Sequence, residues 1–223
     1  MTLTIIPNLI QGTPEWHDAR RGIVTASVVG KLITPKTVKP AENPESRGLT
    51  MSLAAERITG WTEPTFISDD MWRGIEDEPR ARDKYSEHYA PVAEVGFMTE
   101  DRFGFTLGYS PDGLVGDDGL IEVKSRRAKG HIATILAGHP PIENMAQLQC
   151  GLLVTGRDWI DYISYSGGLP MYVKRVFPQE KWFAAIIEAV AAFEANVKEM
   201  IALYQDAVTG LHPTERIVEV EMY

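Results

Sequence analysis

Hydrophobic positions recur along this chain at two different spacings, which predict a mixture of helices and strands. Helical spacing covers the segments 51–59, 71–88, 144–154 and 180–206. Thr13 is predicted to cap a first helix that has Pro14 in its first turn and that runs to Arg20, before Gly22. A second, short helix is predicted to begin near Thr25.

Prolines set two of the predicted boundaries. In the polar run 71–88, proline is best tolerated in a first turn, so Pro79 predicts that the main helix begins near Glu78. The segment 35–48 contains Pro35, Pro40 and Pro44 and has no apolar periodicity. It is therefore predicted to be a long surface loop.

Strand patterns are shorter and lie in the second half of the chain. They cover 103–109, 120–124, 159–165 and 171–177. The last two are predicted to form a hairpin around Gly167 and Gly168, and Ser110 to Gly113 is predicted to be a turn. The tail 216–223 alternates apolar and charged residues, which indicates an edge strand or an oligomer contact.

The order of these elements predicts an α/β domain with a central mixed sheet flanked by helices. We expect one domain over 1–223, with a core at roughly 11–177 and a C-terminal helix and tail at 178–223. A chain of 223 residues is long enough to bury a core without disulfides.

Composition narrows the class of protein. Lys and Arg number 22 and Asp and Glu 31, so the formal charge is −9, which excludes DNA coating through bulk charge. Cys150 is the only cysteine, so no internal disulfide forms, which fits a reducing cytoplasm. The sequence has no convincing signal peptide, and its longest apolar stretch is too short for a membrane span.

Two carboxylates and an ammonium are predicted to meet at one end of the sheet. Glu122 and Lys124 are two apart on a strand and share a face, whereas Val123 points into the core. Asp112 lies just past the preceding predicted strand and approaches Glu122 if the two strands pair. Carboxylate oxygens bind Mg²⁺, and a lysine beside them can orient a water, help deprotonate it, or offset charge in phosphodiester hydrolysis.

These three residue types are common, so the pattern has a simpler alternative. Asp112 could be an ordinary turn residue, and Glu122 and Lys124 an exposed ion pair on a strand. The basic run from Ser125 to Lys129, directly after the strand, favours contact with phosphates, although it also fits a solvated loop.

Five blocks of sequence resolve this choice, because together they resemble one family. The blocks are Trp16 to Ser27, Gly74 to Ala81 followed by Tyr85, Ser110 to Leu114, Glu122 to Lys124, and Met145 to Gln149. In this order they resemble the bacteriophage lambda-type exonucleases, the YqaJ-like viral recombinase nucleases with a restriction-endonuclease-like PD-(D/E)xK core. The resemblance spans roughly 11–176.

The resemblance implies a role for each matching residue at the reaction centre. Asp112 and Glu122 look like ligands of Mg²⁺, with the backbone carbonyl of Val123 as a further ligand. Lys124 looks like the catalytic lysine. Glu78 matches a helix glutamate that assists a second metal ion, directly or through water, and Glu76 is the alternative if the register differs by two.

The resemblance also implies residues outside the metal site. Gln147 matches a catalytic glutamine on the helix that follows the strand. Arg20 and Ser27 match residues that bind the 5′-phosphate of a DNA end, although Arg20 could instead be a surface arginine packed over Trp16. The family often has a tyrosine where this chain has Asn144, which puts one contact near the scissile phosphate in doubt.

The activity implied is 5′→3′ digestion of one strand of linear double-stranded DNA, with two Mg²⁺ ions per site and Mn²⁺ as a substitute. The resemblance further implies a ring-shaped homotrimer, a single-strand annealing protein as partner, and a phage or prophage gene expressed in a bacterial cytoplasm. Two other functions stay open: an endonuclease that needs no DNA end, and a non-catalytic protein that binds DNA ends as a recombination scaffold.

Overall fold

A computed structural model of the chain describes residues 3–64 and 66–216. The helices are α1 Pro14–Arg20, α2 Ala26–Val29, α3 Pro44–Thr59, α4 Asp69–His88, α5 Ala128–Ala137, α6 Ile142–Thr155 and α7 Glu180–Ala207. The strands are β1 Thr4–Ile6, β2 Val24–Thr25, β3 Ile33–Thr34, β4 Lys39–Pro40, β5 Phe97–Glu100, β6 Leu107–Tyr109, β7 Gly113–Val115, β8 Gly119–Ser125, β9 Trp159–Tyr165 and β10 Tyr172–Val176.

The larger strands form two four-stranded mixed sheets in place of the single central sheet predicted. One has the order β1-β5-β6-β2 and the other β10-β9-β8-β7. In the second sheet β8 pairs parallel with β9 and antiparallel with β7, and β9 and β10 form the predicted hairpin. The partner of β8 is therefore β7, which begins after Asp112, and not the strand before it.

The two faces of β8 pack against different layers. Leu120 belongs to the main core, which also contains side chains from α3, α6 and α7. Ile121 and Val123 point to the opposite face and join Ala81 and Tyr85 of α4 in a smaller core. Glu122 and Lys124 share the face of Leu120, so they lie on the α6 side of the sheet.

Several predicted boundaries differ from the structure. Helix α3 begins at Pro44, inside the predicted 35–48 loop, because Asn43 and Ser46 form a capping box. Helix α4 begins at Asp69, with Ser68 as its cap, so the prediction that it starts near Glu78 was wrong and Pro79 lies inside the helix.

Other elements escaped the sequence patterns. Strand β5 and helix α5 were not predicted, and the predicted strand 103–109 is a strand only over β6. The prediction for 216–223 falls almost wholly outside the described residues.

Candidate active site

The antiparallel β7–β8 ladder brings Asp112 beside the middle of β8. Gly113 pairs with Ile121, so the residue before β7 meets the chain near Val123. The Val123 backbone N–H donates to Asp112 Oδ2 over 2.6 Å. A side chain on Gly113 would collide with Val92 and Ile121, since an added Cβ would lie 2.2 Å from Val92 Cγ1. Close packing at this glycine therefore fixes where Asp112 stands.

Glu122 is buried and held by three donors from different elements. Lys124 Nζ donates to Oε1 over 2.8 Å, and the side-chain amide of Gln147 on α6 donates to the same oxygen. The Tyr109 hydroxyl at the end of β6 donates to Oε2 over 3.3 Å. A carboxylate that accepts several hydrogen bonds in a buried site is rigidly oriented.

Lys124 is charged in this arrangement. Burial lowers the pKa of its ammonium, but the carboxylates of Glu122 and Asp112 raise it, and the resulting pKa lies above the ordinary value. Lys124 therefore places a positive charge beside the two carboxylates.

Glu78 approaches the same carboxylates from α4. Burial raises the pKa of its carboxyl, Arg82 opposes this shift, and Glu122 adds to it. Arg82 Nη2 donates to Glu78 Oε1 over 2.6 Å. Glu76 is exposed, with 66% of its side chain accessible, and lies 4.0 Å from Arg80. The structure thus brings Glu78, and not Glu76, to the site.

The donor set fits a hard divalent cation. Burial raises the pKa of the Asp112 carboxyl most, and the negative charges of Glu122 and Glu78 raise it further, so that it lies well above its ordinary value. Carboxylates held together against their repulsion are typical of a cation site, and their oxygens are the ligands that Mg²⁺ prefers. Within the described residues no three His, Cys, Asp or Glu side chains form a complete metal site. Asp112 and Glu122 would therefore need backbone oxygen or water to complete the coordination.

Arg20 lies away from the carboxylates and is surrounded by neutral hydrogen-bonding groups. Its Nη2 donates to Thr25 Oγ1 over 3.1 Å and to Ser27 Oγ over 3.0 Å. Its Nη1 donates to Ser110 Oγ over 3.2 Å, and the guanidinium lies 3.9 Å from the centre of the Trp16 ring. Arg20 therefore packs on Trp16 and also contacts Ser27, and its binding of a 5′-phosphate stays a prediction.

The Arg20 guanidinium has no counter-ion in the part of the chain that the structure describes. No Asp or Glu in residues 3–64 or 66–216 lies within 4.0 Å of it. Burial lowers the pKa of Arg20 to about 10, with a small opposing effect of Glu56, so the group stays charged in mildly alkaline solution. A charged guanidinium held by hydroxyls is prepared to bind an anion such as phosphate.

Ser110 and Thr25 were not selected from the sequence, although both contribute to this pocket. Ser110 accepts from Trp16 Nε1 over 3.0 Å as well as from Arg20, and it lies two residues before Asp112. It therefore connects the arginine pocket with the carboxylate site. Its position as the first residue of the predicted turn Ser110 to Gly113 was the signal available in the sequence.

One cavity contains both groups of residues. Its volume is about 1020 Å³, and its lining includes the seven predicted side chains Arg20, Ser27, Glu78, Asp112, Glu122, Lys124 and Gln147. The arrangement can hold an anion at one end and a phosphodiester beside carboxylates and a lysine at the other.

Asn144 lies one turn before Gln147 on α6 and contacts Arg126, not Glu122. Its amide oxygen accepts from Arg126 Nη2, and Arg126 Nε donates to the Tyr162 hydroxyl over 2.9 Å. The position where the family often has tyrosine thus holds a guanidinium at the end of β8.

Comparison with known proteins gives similarity to one family and to solved nuclease structures. The model of the YqaJ-like viral recombinase domain matches residues 15–158 of this chain. A search of the curated proteins gave no match.

Two similar structures are of an alkaline exonuclease (LHK-Exo) from Laribacter hongkongensis. Each is 35% identical to this chain and covers 90% of this chain and 100% of its own, with TM-scores of 0.79 and, for the complex with dAMP, 0.80.

A phage related exonuclease from Haemophilus somnus 129PT is 14% identical, covers 82% of this chain and 96% of its own, and has a TM-score of 0.60. This last similarity is one of fold. Together these structures confirm the predicted α/β fold with a restriction-endonuclease-like core.

Proposed function

Because the chain belongs to the YqaJ-like viral recombinase family, we propose that it is a metal-dependent exonuclease acting on ends of double-stranded DNA. It digests the 5′-ended strand in the 5′→3′ direction, releases 5′-mononucleotides and leaves a 3′ single strand. A single-strand annealing protein then uses that strand in recombination. The similar exonuclease from Laribacter hongkongensis, whose structure is known with dAMP, supports the exonuclease part of the proposal.

The observation that carries this proposal is the shared cavity. An anion pocket at Arg20 and a carboxylate–lysine site at Asp112, Glu122 and Lys124 open into the same space. A terminal 5′-phosphate bound at one end would place a following phosphodiester near the other. An enzyme that cuts closed DNA needs no pocket for a terminal phosphate, so this pairing favours an exonuclease.

Each residue at the reaction centre has a defined part in hydrolysis. Asp112, Glu122 and the Val123 carbonyl would hold Mg²⁺, with Glu78 at a second ion. Bound Mg²⁺ supplies stabilisation of charge on the phosphate and lowers the pKa of water. Lys124 places its ammonium beside the developing negative charge. Gln147 and Tyr109 keep Glu122 oriented.

The products of the reaction explain repeated digestion. Water adds to phosphorus, the bond from phosphorus to the 3′-oxygen breaks, and that oxygen leaves with a proton. The released nucleotide keeps its 5′-phosphate, and the shortened strand has a new one. Each cut therefore regenerates the group that Arg20, Ser27 and Ser110 would bind.

The remaining expectations belong to the same proposal. Two Mg²⁺ ions per site, replaceable by Mn²⁺, and a ring-shaped homotrimer around the duplex follow the family resemblance. A closed ring would retain DNA on a chain whose net charge is −9. We place the protein in the cytoplasm of a bacterial host, as a phage or prophage product. Of the helices in residues 3–64 and 66–216, none could cross a bilayer.

Digestion of linear duplex with a 5′-phosphate in Mg²⁺ tests the proposal. Parallel samples contain linear duplex with a 5′-hydroxyl and closed circular duplex. Asp112→Ala, Lys124→Ala and Glu78→Ala test the site, and the matched control is Glu76→Ala, since this glutamate lies on the same helix and is exposed. Product length and terminal groups are read on gels and by chromatography.

We expect rapid loss of the 5′-phosphorylated strand, no cutting of the circle, and loss of activity in the three site variants but not in Glu76→Ala. Cutting of the circle would identify an endonuclease. DNA binding without metal-dependent cleavage would leave the scaffold function. Loss of long digestion runs at modest salt would show that charge, and not enclosure, retains the DNA.

A further inference from the structure

Arg126 is a second half-buried guanidinium beside the site that is held only by neutral groups. Its two hydrogen bonds go to the Tyr162 hydroxyl and the Asn144 amide oxygen. No carboxylate of residues 3–64 or 66–216 lies within 4.0 Å of it. A partly desolvated cation without a counter-ion is unfavourable unless it meets an anion, so this arrangement indicates a ligand.

The position of Arg126 follows from the strand register. It continues the β8–β9 ladder, because its backbone N–H donates to the Tyr165 carbonyl over 2.8 Å. Side chains at every second position of a strand share a face, which places Arg126 on the same face as Glu122 and Lys124. Its contacts agree with this placement, because Tyr162 pairs with Glu122 in the ladder and Asn144 belongs to α6, which lies on this face of the sheet.

Arg126 keeps donors for a ligand. A guanidinium has five N–H groups, and the two bonds to Tyr162 and Asn144 leave about three unused. The two bonds also restrict the side chain, so less rotational freedom is lost when a phosphate binds.

The neighbouring cations in the same basic run differ from Arg126. Arg127 is 72% exposed and forms an ion pair with Asp70 over 2.9 Å. Its Nε also donates to the same carboxylate over 2.9 Å. Arg127 thus has a carboxylate partner, which it shares with Arg73, and it provides a matched control one residue away from Arg126.

We propose that Arg126 binds a backbone phosphate of the DNA, next to the phosphodiester at Asp112, Glu122 and Lys124, and that Asn144 and Tyr162 orient it. This proposal rests on the nuclease function above. The phosphate contacted belongs to the duplex and not to the free mononucleotide product, because Arg126 lies beyond Lys124, outside the lining of the cavity that contains Arg20.

The experiment measures the salt dependence of DNA binding. All proteins carry Asp112→Asn, so that DNA stays intact, and bind a 5′-phosphorylated linear duplex with a fluorescent label between about 50 and 200 mM salt. Arg126→Gln is compared with Arg127→Gln. Asn144→Asp keeps the guanidinium in place but adds a carboxylate beside it, which tests the charge independently of folding.

We expect Arg126→Gln to weaken binding about tenfold at low salt and to reduce the slope of log K against log salt by about 0.9, the value for one phosphate. Asn144→Asp is expected to reproduce the smaller slope, and Arg127→Gln to keep the slope of the parent protein. An unchanged slope in Arg126→Gln and Asn144→Asp, or an equal loss in Arg127→Gln, overturns the inference.

The proposed function has a separate readout. If the wild-type protein does not digest linear duplex, the exonuclease proposal fails. If it digests DNA and Arg126→Gln keeps the full salt slope, only the role of Arg126 is refuted. Competition by dAMP, unchanged in Arg126→Gln, would agree with a contact to the duplex, and a weaker competition would contradict it.

Discussion

Ser125 and Asp77 form a direct connection between strand β8 and helix α4, and breaking it should slow turnover. Ser125 Oγ donates to Asp77 Oδ2 over 2.6 Å and accepts from Arg73 Nε over 3.0 Å. Ser125 follows Lys124, and Asp77 precedes Glu78. The contact therefore lies one residue from each of two proposed catalytic side chains.

Glu78 needs such a restraint for two reasons. It is repelled by Glu122, which contributes with burial to its raised pKa. Pro79 follows it inside α4 and cannot donate the backbone hydrogen bond expected within a helix, which weakens the helix there. The bond between Ser125 and Asp77 offsets both effects by fixing this part of α4 against β8.

The size of the effect of Ser125→Ala follows from these contacts. A hydrogen bond to a buried carboxylate contributes about 1.5–3 kcal/mol to the free energy of unfolding. Arg80 still contacts Asp77 over 3.3 Å, so the lower end applies. At about 2–4 °C per kcal/mol, we expect Tm to fall by about 3–6 °C. A displacement of Glu78 by about 1 Å would lower kcat by up to about 100-fold with little change in KM.

Tyr85→Phe is the matched control, because it removes a similar bond from the same helix. The Tyr85 hydroxyl donates to Asp161 over 2.6 Å, two turns after Glu78. This variant should lose a similar amount of stability and keep its kcat, while Ser125→Thr should recover most of the activity. Single-turnover digestion and thermal unfolding measure the two quantities. Equal losses of kcat in Ser125→Ala and Tyr85→Phe, or an unchanged kcat in Ser125→Ala, would refute the reasoning.

Three further predictions concern buried groups. Asp112→Asn should abolish cleavage yet raise Tm in EDTA at pH 8. Burial and the charge of Glu122 raise the pKa of Asp112 in the folded protein above its value in the unfolded chain. The parent protein therefore loses stability as the pH rises and Asp112 ionises, whereas the Asn variant does not. The gain in Tm of the variant should vanish near pH 4, where Asp112 is protonated in the parent protein. Asp161→Ala should lower the free energy of unfolding by about 1–3 kcal/mol in urea titrations, because the buried Tyr85 hydroxyl loses its acceptor, whereas Arg175 is half exposed and keeps contact with water. Burial raises the pKa of Cys150 to about 12, so a thiol reagent at pH 8 should label it only after unfolding.

Helix α1 shows what the sequence could predict. Thr13 accepts from the Trp16 backbone N–H and Pro14 occupies the first turn, as local capping preferences require. The hairpin of β9 and β10 was likewise predicted from strand patterns and the glycine pair between them. Such features depend on neighbours in sequence, which is why they can be recognised there.

The elements that were missed lack these local signals. Helix α5 has Arg127 at its N-cap without a side-chain cap, and Ile132 and Leu136 on it are exposed. Strand β5 is buried on both faces apart from Thr99, so no alternation appears. For α3 and α4 the caps at Asn43 and Ser68 were present in the sequence, but nearby prolines suggested a loop and a late start.

The site residues, too, could be predicted only where the signal was local in the sequence. The spacing of Glu122 and Lys124 predicted a shared face, but Ser110 and Arg126 gained significance only from partners far away in sequence. Ser110 meets Arg20 across 90 positions, and Arg126 meets Tyr162 across 36. Contacts of this kind are created by the packing of α1 and β9 and leave no periodic pattern.

These cations, which have no ion-pair partners among the described residues, would also allow an acidic chain to bind DNA as proposed. Arg20 and Arg126 face neutral partners, and Lys124 is shared among carboxylates that would also hold metal ions. If affinity comes from about two or three phosphate contacts per subunit, the slope of log K against log salt should be about −2 to −3. The slope can be measured with a duplex just long enough to cover one subunit. A slope near −6 would contradict this expectation, because it would require a broad basic surface on a chain whose net charge is −9.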